Sequence, residues 1–479
     1  MPTSDFEAVI GLEVHAQIST KTKMFCSCSS DSFGKDPNIN TCPICMGFPG
    51  QLPVINVDAL NKGLKAALAL RCNVPEVSKF DRKNYFYPDL PKGYQISQYD
   101  QPVAEKGWLE IGPDADKKKI NITRLHLEDD AGKLMHIEGG TLCDYNRSGI
   151  PLMEIVSEPD LRSAKDAVLY AKELQTILRY SGSSEADMEK GMMRFDASVS
   201  IRPKGDGKLY HRAEIKNLNS FRSLEAAIDY EIERQVYLWE GGNKLENDVT
   251  VGWSDDHQKT YFLRDKEGAD DYRYFPEPDL PPLKIGKDFI ETLKKEIPEM
   301  PAEKCARYQK DYAVSQAEAE LISADFEMAK YFEIVVARCN DPKKAATFVT
   351  TILLSHMKKD GLGIKDVKVS PESMADLISM VNKGDVSMNL AKAEVFEEMY
   401  NSGKSAADVV ALKGLTVMND DSAIREICKK TVSENEKSVI DYKSGKSNAL
   451  GFLVGQVMKQ TKGQANAKMV NEILMELLK

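Results

Sequence analysis

The sequence predicts an α+β fold in which a sheet-rich N-terminal region is followed by a helical region. Up to about residue 290, short strand-like segments alternate with loops that are punctuated by Pro and Gly. The proline-rich segment 275–282 can continue neither a helix nor a central strand. Beyond Pro298, apolar residues recur with helical spacing almost throughout. We therefore expect three domains, at residues 1–295, 296–410 and 411–479.

The composition is that of an ordinary folded protein, with 42% hydrophobic and 8% aromatic residues in a chain of 479. The sequence contains no run of 18 apolar residues, and its first residues lack the basic and apolar segments of a targeting peptide. These features predict a cytoplasmic protein without a membrane span.

The net charge of −10 argues against nucleic acid as a partner, but the charge is unevenly distributed. Residues 411–479 contain 11 Lys and Arg against 8 Asp and Glu. A mildly basic tail on an acidic body could bind phosphates. These lysines could equally do no more than solvate helix surfaces, and charge alone does not separate the two interpretations.

The first strand is predicted over residues 9–18, where apolar residues occupy the even positions and Glu13, His15 and Gln17 are odd-numbered. Alternate side chains of a strand lie on one face, so Glu13 and His15 are expected about 6.5–7 Å apart. A carboxylate and an imidazole at this spacing can share a hydrated metal ion or flank a phosphate. The alternative is a solvated sheet face without a ligand.

Polar faces recur in later predicted strands. His126 and Glu128 share one face, Asp196 lies on another, and Glu154 interrupts the apolar run 150–156. A carboxylate in such a run is paired, protonated or bound to a metal, because burying it alone is costly. Mg²⁺ prefers carboxylates together with substrate phosphates and water. One sheet surface would suit Mg²⁺ if it collected all five candidates: Glu13, His15, Glu128, Glu154 and Asp196.

A basic corner for phosphate is predicted at residues 214–220, where a strand leads into a helix. Lys216, Asn219 and the amides of the helix N-terminus could bind an anion there. Asn219 or Ser220 could instead cap the helix, and Lys216 could pair with Glu214. Both interpretations fit the sequence.

Two further basic residues, Arg147 and Arg273, are candidates for contacts with phosphate. The sequence contains no G-x-x-x-x-G-K-[ST] motif, so any ATP site is of another kind. It also lacks an amidase signature, and release of ammonia from glutamine would therefore need another chain.

Four of the nine cysteines cluster near the N-terminus. Cys26 and Cys28 form a C-x-C pair, and Cys42 and Cys45 form a C-x₂-C pair after thirteen intervening residues. Two such pairs can supply the four thiolates of a tetrahedral Zn²⁺ site. Four protein ligands leave no open coordination position, so the predicted zinc is structural. The alternative is a group of reduced cysteines without a metal.

Two helices are predicted in the N-terminal region. One follows Ser163, has Asp166 in its first turn and stops at Gly182. The other follows Ser220 and stops at Gly241. In the helical region, continuous helical patterns cover residues 317–339, 343–357 and 371–381, and two helices in 444–479 are separated near residues 462–463.

Long motifs along the chain resemble the B subunit of the aspartyl/glutamyl-tRNA amidotransferases. They occur in order from residue 9 to residue 282, so coincidence is negligible, and a tail motif extends the resemblance over nearly the whole chain. The motifs are Val9–His15, Phe25–Cys28, Thr41–Gly50, Lys83–Gln98, Asp144–Val156, Glu214–Ser220, Tyr272–Pro282 and Gly451–Lys459.

The resemblance implies a kinase-like cradle domain of mixed or antiparallel sheet, an all-α domain and a small α-helical tail similar to YqeY. It implies that ATP phosphorylates the side-chain carboxylate of Glu on tRNA(Gln), Asp on tRNA(Asn), or both. Ammonia from a separate amidase, the A subunit, would then give the amide. The complex would be a heterotrimer that also includes a small C subunit.

The resemblance also implies roles for individual residues. The tail would contact tRNA, and the four clustered cysteines would hold zinc. Catalysis and Mg²⁺ binding would fall to Glu13, His15, Glu128 and Glu154, with Asp196 as a further Mg²⁺ ligand.

Two other functions remain open. A noncatalytic, zinc-containing adaptor would hold tRNA and anchor an amidase without binding nucleotide. A free-standing, ATP-dependent amide ligase would need no partner. Nucleotide binding separates the first from the kinase function, and activity of the isolated chain separates the second.

Overall fold

The computed structural model describes residues 5–112, 116–265, 270–415, 420–444, 448–461 and 464–478. The chain forms two compact units, residues 1–300 and 301–479. The first unit holds all the described strands and the second is helical, which confirms the predicted α+β class.

The strands of the first unit vary from two to twelve residues. Their bounds are β1 (Phe6–Gln17), β2 (Val77–Ser78), β3 (Asp81–Asn84), β4 (Tyr94–Ser97), β5 (Ala104–Ile111), β6 (Lys118–Asp129), β7 (Lys133–Ile137), β8 (Gly140–Asp144), β9 (Pro151–Ser157), β10 (Met193–Pro203), β11 (Ala213–Leu218), β12 (Val249–Ser254), β13 (Lys259–Asp265), β14 (Phe275–Pro276) and β15 (Leu283–Lys284).

Eight strands form one large sheet in the order β13-β12-β11-β10-β1-β9-β6-β5. Its neighbours are antiparallel except for the parallel pair β11 and β12. The sheet is therefore mixed, as the resemblance implied. The strand β1 lies near its centre, between β9 and β10, which come from distant parts of the sequence.

The alternation of β1 explains its central position. Ile10, Leu12, Val14 and Ala16 are fully buried and belong to the core of the first unit. The opposite face carries Glu13 and the other odd-numbered polar residues, all at least partly shielded. A strand that buries one face against a core while its polar face is also shielded is well placed to build a site.

Four helices lie in the described part of the first unit, and two of them match the predicted ones. The Ser163 hydroxyl accepts a hydrogen bond from the backbone amide of Asp166, and the Ser220 hydroxyl accepts one from the amide of Ser223. Both caps satisfy amides that a helix N-terminus otherwise leaves unpaired. The helices are α1 (Val57–Ala69), α2 (Ala164–Tyr180), α3 (Phe221–Glu240) and α4 (Lys287–Glu296).

A small sheet of β14, β3 and β4 packs beside β6. The Gln95 side-chain amide donates to the carbonyl of Asp129 over 2.8 Å, and the Ser97 hydroxyl donates to Glu128 Oε2 over 3.1 Å. These bonds fix the small sheet against the end of β6 that carries the acidic residues.

The second unit contains thirteen described α-helices, two π-helical segments and one short 3₁₀ turn. Its apolar residues form two clusters, one within residues 308–415 and one within residues 424–478. The α-helices are α5 (Pro301–Tyr312), α6 (Gln316–Ser323), α7 (Phe326–Cys339), α8 (Pro342–Thr347), α9 (Leu354–Asp360), α10 (Pro371–Lys383), α11 (Met388–Leu390), α12 (Phe396–Ser402), α13 (Ala406–Lys413), α14 (Asp421–Glu434), α15 (Glu436–Lys443), α16 (Asn448–Gln460) and α17 (Ala467–Leu478).

The structure corrects two helical predictions in this unit. The continuous helix expected over 317–339 is divided, because Asp325 caps a new helix by accepting a hydrogen bond from the amide of Met328. The helix expected over 343–357 contains a π-helical segment, Phe348–Leu353, and ends at Asp360. The break predicted near residues 462–463 lies outside the described residues. None of the described helices is long and apolar enough to cross a membrane.

Candidate metal-binding active site

Three polar side chains form a row across the middle of the large sheet. His15 of β1 pairs with Glu154 of β9, and Glu154 pairs with His126 of β6. Directly opposed residues face the same side of a sheet. The two imidazole Nε2 atoms each lie 3.3 Å from Glu154 Oε2. Glu154, the carboxylate that interrupts an apolar run in the sequence, therefore lies between two histidine rings.

Glu128 completes this group. It lies two residues after His126 on the same face of β6, and its Oε2 atom is 3.4 Å from His126 Nε2. Ligand atoms of His15, Glu128 and Glu154 lie within 4.8 Å of one another. We call these three residues the first acid group.

The two carboxylates of the first acid group stay charged although they are buried. Burial alone would raise the pKa of Glu154, but His126 and His15 lower it well below its ordinary value. Burial opposes the charge on His126, yet Glu154 and Glu128 raise the pKa of that imidazole to about 9. The carboxylates thus remain ionised and attract cations.

The residues present fit a hard cation. Two carboxylates and one imidazole are suitable donors for Mg²⁺, which commonly keeps water and substrate phosphates as its other ligands. The Nδ1 atoms of His15 and His126 are buried without a hydrogen-bond partner among the described residues.

The predicted set of five ligands is divided between two places. Glu13 and Asp196 oppose each other across β1 and β10, and they lie close to Glu214 instead of Glu154. The reason is strand geometry, since residues two apart on one face are separated by about 6.5–7 Å and meet different cross-strand neighbours. Glu13, Asp196 and Glu214 are called the second acid group below.

Lys216 occupies the second acid group. Its ammonium lies 2.7 Å from Asp196 Oδ2 and also pairs with the Glu214 carboxylate. Burial opposes this charge, but Asp196 and Glu214 raise the pKa of the Lys216 ammonium. Lys216 thus pairs with Glu214, as one of the two interpretations held, and its contact with phosphate stays a prediction.

The helix start beside Lys216 is capped by Ser220, with Asn219 exposed just before it. Of the two capping candidates, the structure selects Ser220. Asn219 thus keeps its side chain at the surface, next to the end of β11.

The two arginine candidates are in different settings. The Arg147 guanidinium donates to the backbone carbonyls of Ala131 and Gly132 over 2.9 and 2.7 Å, so it holds a loop. Arg273 is exposed, and its guanidinium lies 5.9 Å from the centre of the Phe86 ring. Neither belongs to the first acid group.

The sequence did not reveal a buried carboxylate, Asp130, that orders the end of this face. Its side chain is fully buried, 3.3 Å from the Arg194 guanidinium and 3.0 Å from the Gln17 amide. Arg194 opposes His15 across β1 and β10 and so extends the row by one strand. The polar alternation of β1 and β10 was the available signal, since the contacts of Asp130 with Gln17 and Arg194 span more than 60 residues.

The four clustered cysteines come together as predicted. The sulfur atoms of Cys26, Cys28, Cys42 and Cys45 lie within 4.8 Å of one another. Four thiols at this separation fit a tetrahedral Zn²⁺ site.

The surroundings of the cysteines favour a thiolate at Cys45. The hydrogen bond with Cys26 is the largest of several effects that lower the pKa of Cys45 to about 4. The Lys23 ammonium adds to this effect, since it lies 3.8 Å from the Cys45 sulfur. Burial raises the pKa of Cys28 to about 11. Without a metal, the Cys28 thiol therefore keeps its proton more readily than the Cys45 thiol.

Comparisons with known proteins agree with this geometry. Residues 8–291 match the family described as GatB/GatE catalytic domain, and residues 330–478 match the GatB domain. The B subunit of an aspartyl/glutamyl-tRNA(Asn/Gln) amidotransferase from Persephonella marina is 48% identical over 476 residues, covering 99% of this chain and 100% of the relative. Proteins with the same description from Thermodesulfovibrio yellowstonii and Thermotoga maritima are 48% and 46% identical, with 99% of each chain covered. The chain belongs to the GatB/GatE family.

Proposed function

We propose that this chain is the activating component of a tRNA-dependent amidotransferase. It would phosphorylate the side-chain carboxylate of Glu carried by tRNA(Gln), Asp carried by tRNA(Asn), or both. The relatives with the same domains are described as the B subunit of aspartyl/glutamyl-tRNA(Asn/Gln) amidotransferase. The observation that carries the proposal is the first acid group, whose His15, Glu128 and Glu154 lie together on the shielded face of the sheet.

The reaction has two steps. An oxygen of the substrate carboxylate forms a bond to the γ-phosphorus of ATP as the bond to the β-phosphate oxygen breaks, which gives an acyl phosphate and ADP. The lone pair of ammonia then attacks the acyl carbon, inorganic phosphate leaves, and a proton is lost to give the amide. Positioning and charge stabilisation supply most of the catalysis in such transfers.

The residues of the first acid group would hold Mg²⁺, which neutralises phosphate charge when bound. Glu154 and Glu128 provide the carboxylates, and His126 fixes both through its ring nitrogen. Among the four candidates for contacts with phosphate, Asn219 and Arg273 are exposed, and we propose them as contacts of ATP. Lys216 and Arg147 would act indirectly, because acidic or carbonyl oxygens already engage them.

Glu154→Gln tests the proposal in the assembled complex with misacylated tRNA. The variant keeps the shape of the side chain but removes the charge that would bind Mg²⁺, so ATP-dependent activation should fall by at least about 100-fold. His15→Ala should behave alike, while binding of tRNA is retained. Glu110→Gln is the matched control, since Glu110 is exposed on β5. Normal ATP turnover in both active-site variants would exclude this function.

The alternative adaptor function makes the opposite prediction. It needs the cysteine site and a tRNA-binding tail but no nucleotide, and changes to the acids would then leave amide formation intact. A free-standing ligase is distinguished by assaying this chain alone. We expect activity, in the cytoplasm, only when the amidase of the A subunit is present together with the small C subunit.

We also propose that the four cysteines bind one structural Zn²⁺. Metal analysis of the purified chain should give one equivalent, and Cys42→Ser should lose it. Cys305→Ser is the control, because this cysteine lies in the second unit. Less than half an equivalent in the unaltered protein, with the thiols freely titratable, would contradict the assignment.

A further inference from the structure

Lys83 lies on the small sheet and points toward the first acid group. It pairs with Gln95 across β3 and β4, so both side chains face the same way. Gln95 and Ser97 on that face donate hydrogen bonds to the Asp129 carbonyl and the Glu128 carboxylate. The register therefore directs Lys83 at the end of β6 where Glu128 lies.

Tyrosine rings surround the Lys83 side chain. Its ammonium lies 4.8 Å from the centre of the Tyr272 ring and 6.0 Å from that of Tyr85. Tyr274 packs edge-on against Tyr272 and stacks on Tyr99 at 4.4 Å. Contacts of this kind position a cation over aromatic faces. The lysine is thus held in place without using its hydrogen-bond donors.

Two other basic residues of this face are engaged by acids. Lys216 pairs with Asp196 and Arg194 pairs with Asp130. In the part of the chain that the structure describes, the Lys83 ammonium makes no hydrogen bond and no ion pair. Its three donors remain available in a half-buried place.

The Lys83 ammonium nevertheless keeps its proton. Burial opposes it, but the surrounding tyrosine hydroxyls and the carboxylates of Glu128 and Glu154 raise the pKa of the ammonium. A half-buried cation with unused donors and nearby carboxylates is arranged to receive an anion. The carboxylates of the first acid group would otherwise repel such an anion.

We propose that Lys83 binds an anionic oxygen of the reacting substrate at the first acid group. This inference rests on the proposed function. The oxygen belongs either to the side-chain carboxylate carried by tRNA or to the phosphoryl group in transfer. Both are anions that must approach an acidic face, and a fixed ammonium offsets the repulsion and orients the reacting atoms.

Lys83→Met tests the proposal, because methionine keeps much of the side-chain length and removes the charge. In the complex with misacylated tRNA, we expect kcat/KM to fall on the order of 100-fold, the effect of removing one donor from a developing oxyanion. Lys83→Arg keeps the charge and should recover part of the rate. Lys79→Met is the control, since the Lys79 ammonium pairs with Asp81 and Asp100 nearby.

Two kinetic arms distinguish the sources of the oxygen. A rise in KM for the aminoacyl-tRNA, with KM for ATP unchanged, assigns the carboxylate. A fall in kcat with both KM values unchanged assigns the transferring phosphoryl group. A Lys83→Met enzyme within threefold of the unaltered enzyme, and equal to the Lys79→Met control, would overturn the proposal.

Binding of Mn²⁺ tests whether the charge of Lys83 acts at the first acid group, independently of the rate of the reaction. Removing a positive charge beside Glu128 and Glu154 should tighten Mn²⁺ binding several-fold in Lys83→Met, and unchanged affinity counts against the proposal. Lys83→Gln replaces the methionine variant if the latter does not fold. If Glu154→Gln is active, the proposed function fails; if Glu154→Gln is inactive and Lys83→Met is normal, only the role of Lys83 fails.

Discussion

The ion pair between Arg82 and Glu277 should dominate the stability of the small sheet. The Glu277 side chain is fully buried, and the Arg82 guanidinium binds it through two hydrogen bonds of 2.7 and 2.8 Å. Arg82 also lies 4.3 Å from the centre of the Tyr94 ring. Arg82→Met would leave the buried carboxylate without its ion-pair partner, which costs about 3–5 kcal/mol.

Intrinsic fluorescence provides a selective assay for this loss. All three tryptophans, Trp108, Trp239 and Trp253, lie in the first unit, so a urea titration followed by fluorescence reports that unit alone. The midpoint for Arg82→Met should fall strongly. Combining this change with Glu277→Leu should restore much of the loss, since no buried charge then remains.

An exposed pair in the same unit serves as the control. The Arg212 guanidinium lies 3.3 Å from Asp248 Oδ2, with both side chains more than a third exposed. Arg212→Met should cost about 0–1 kcal/mol. If Arg82→Met is no more destabilising than Arg212→Met, then burial of Glu277 does not depend on Arg82 and the reasoning is wrong.

Three further outcomes are expected. Burial alone would raise the pKa of Glu333, but hydrogen bonds from two basic residues and a tyrosine lower it below 4.5. The ionised carboxylate therefore stabilises the fold above pH 4.5, and this stabilisation is lost as the pH falls through the lower pKa of the folded state. The difference in unfolding midpoint between the unaltered protein and Glu333→Gln should vanish in acid. Gly107→Ala would place a Cβ atom 2.7 Å from the Leu70 carbonyl oxygen and should cost about 1–3 kcal/mol in urea unfolding, whereas an unchanged midpoint would contradict the close approach. Lys216→Met removes the ammonium that pairs with Asp196, and it should add a second Mn²⁺-binding step in a titration followed by paramagnetic resonance. A titration identical to that of the unaltered chain would show that the Lys216 ammonium does not exclude cations.

The sequence predicted which side chains share a face but not which of them meet. Alternation placed Glu13 and His15 together on β1, and the structure confirms that both lie on the polar face. Their neighbours depend on the register with β9 and β10, which lie more than 130 residues away. That register joins His15 to Glu154 and Glu13 to Asp196, and no local pattern contains this information.

The roles of the basic residues were harder to predict for a related reason. Lys216 and Lys83 look alike in the sequence, since each lies in a short strand and is followed by an asparagine. Their difference arises from what the fold brings near, two carboxylates for Lys216 and tyrosine rings for Lys83. The caps of α2 and α3 were predictable because a cap depends on adjacent residues only, whereas α1 and α4 were not predicted.

The cysteine site and the acidic face are joined by a short chain of backbone contacts. The Met24 amide donates to the Gly149 carbonyl, and the Gly149 amide donates to the Asp130 carbonyl, each over 2.8 Å. Lys23, beside the Cys45 sulfur, also donates to the Tyr145 carbonyl over 3.3 Å. A zinc that orders the cysteine loop would therefore support the turn behind Asp130. Loss of the zinc should lower activity because it would displace Arg194, which pairs with Asp130 and lies opposite His15. It would not remove any group that contacts substrate.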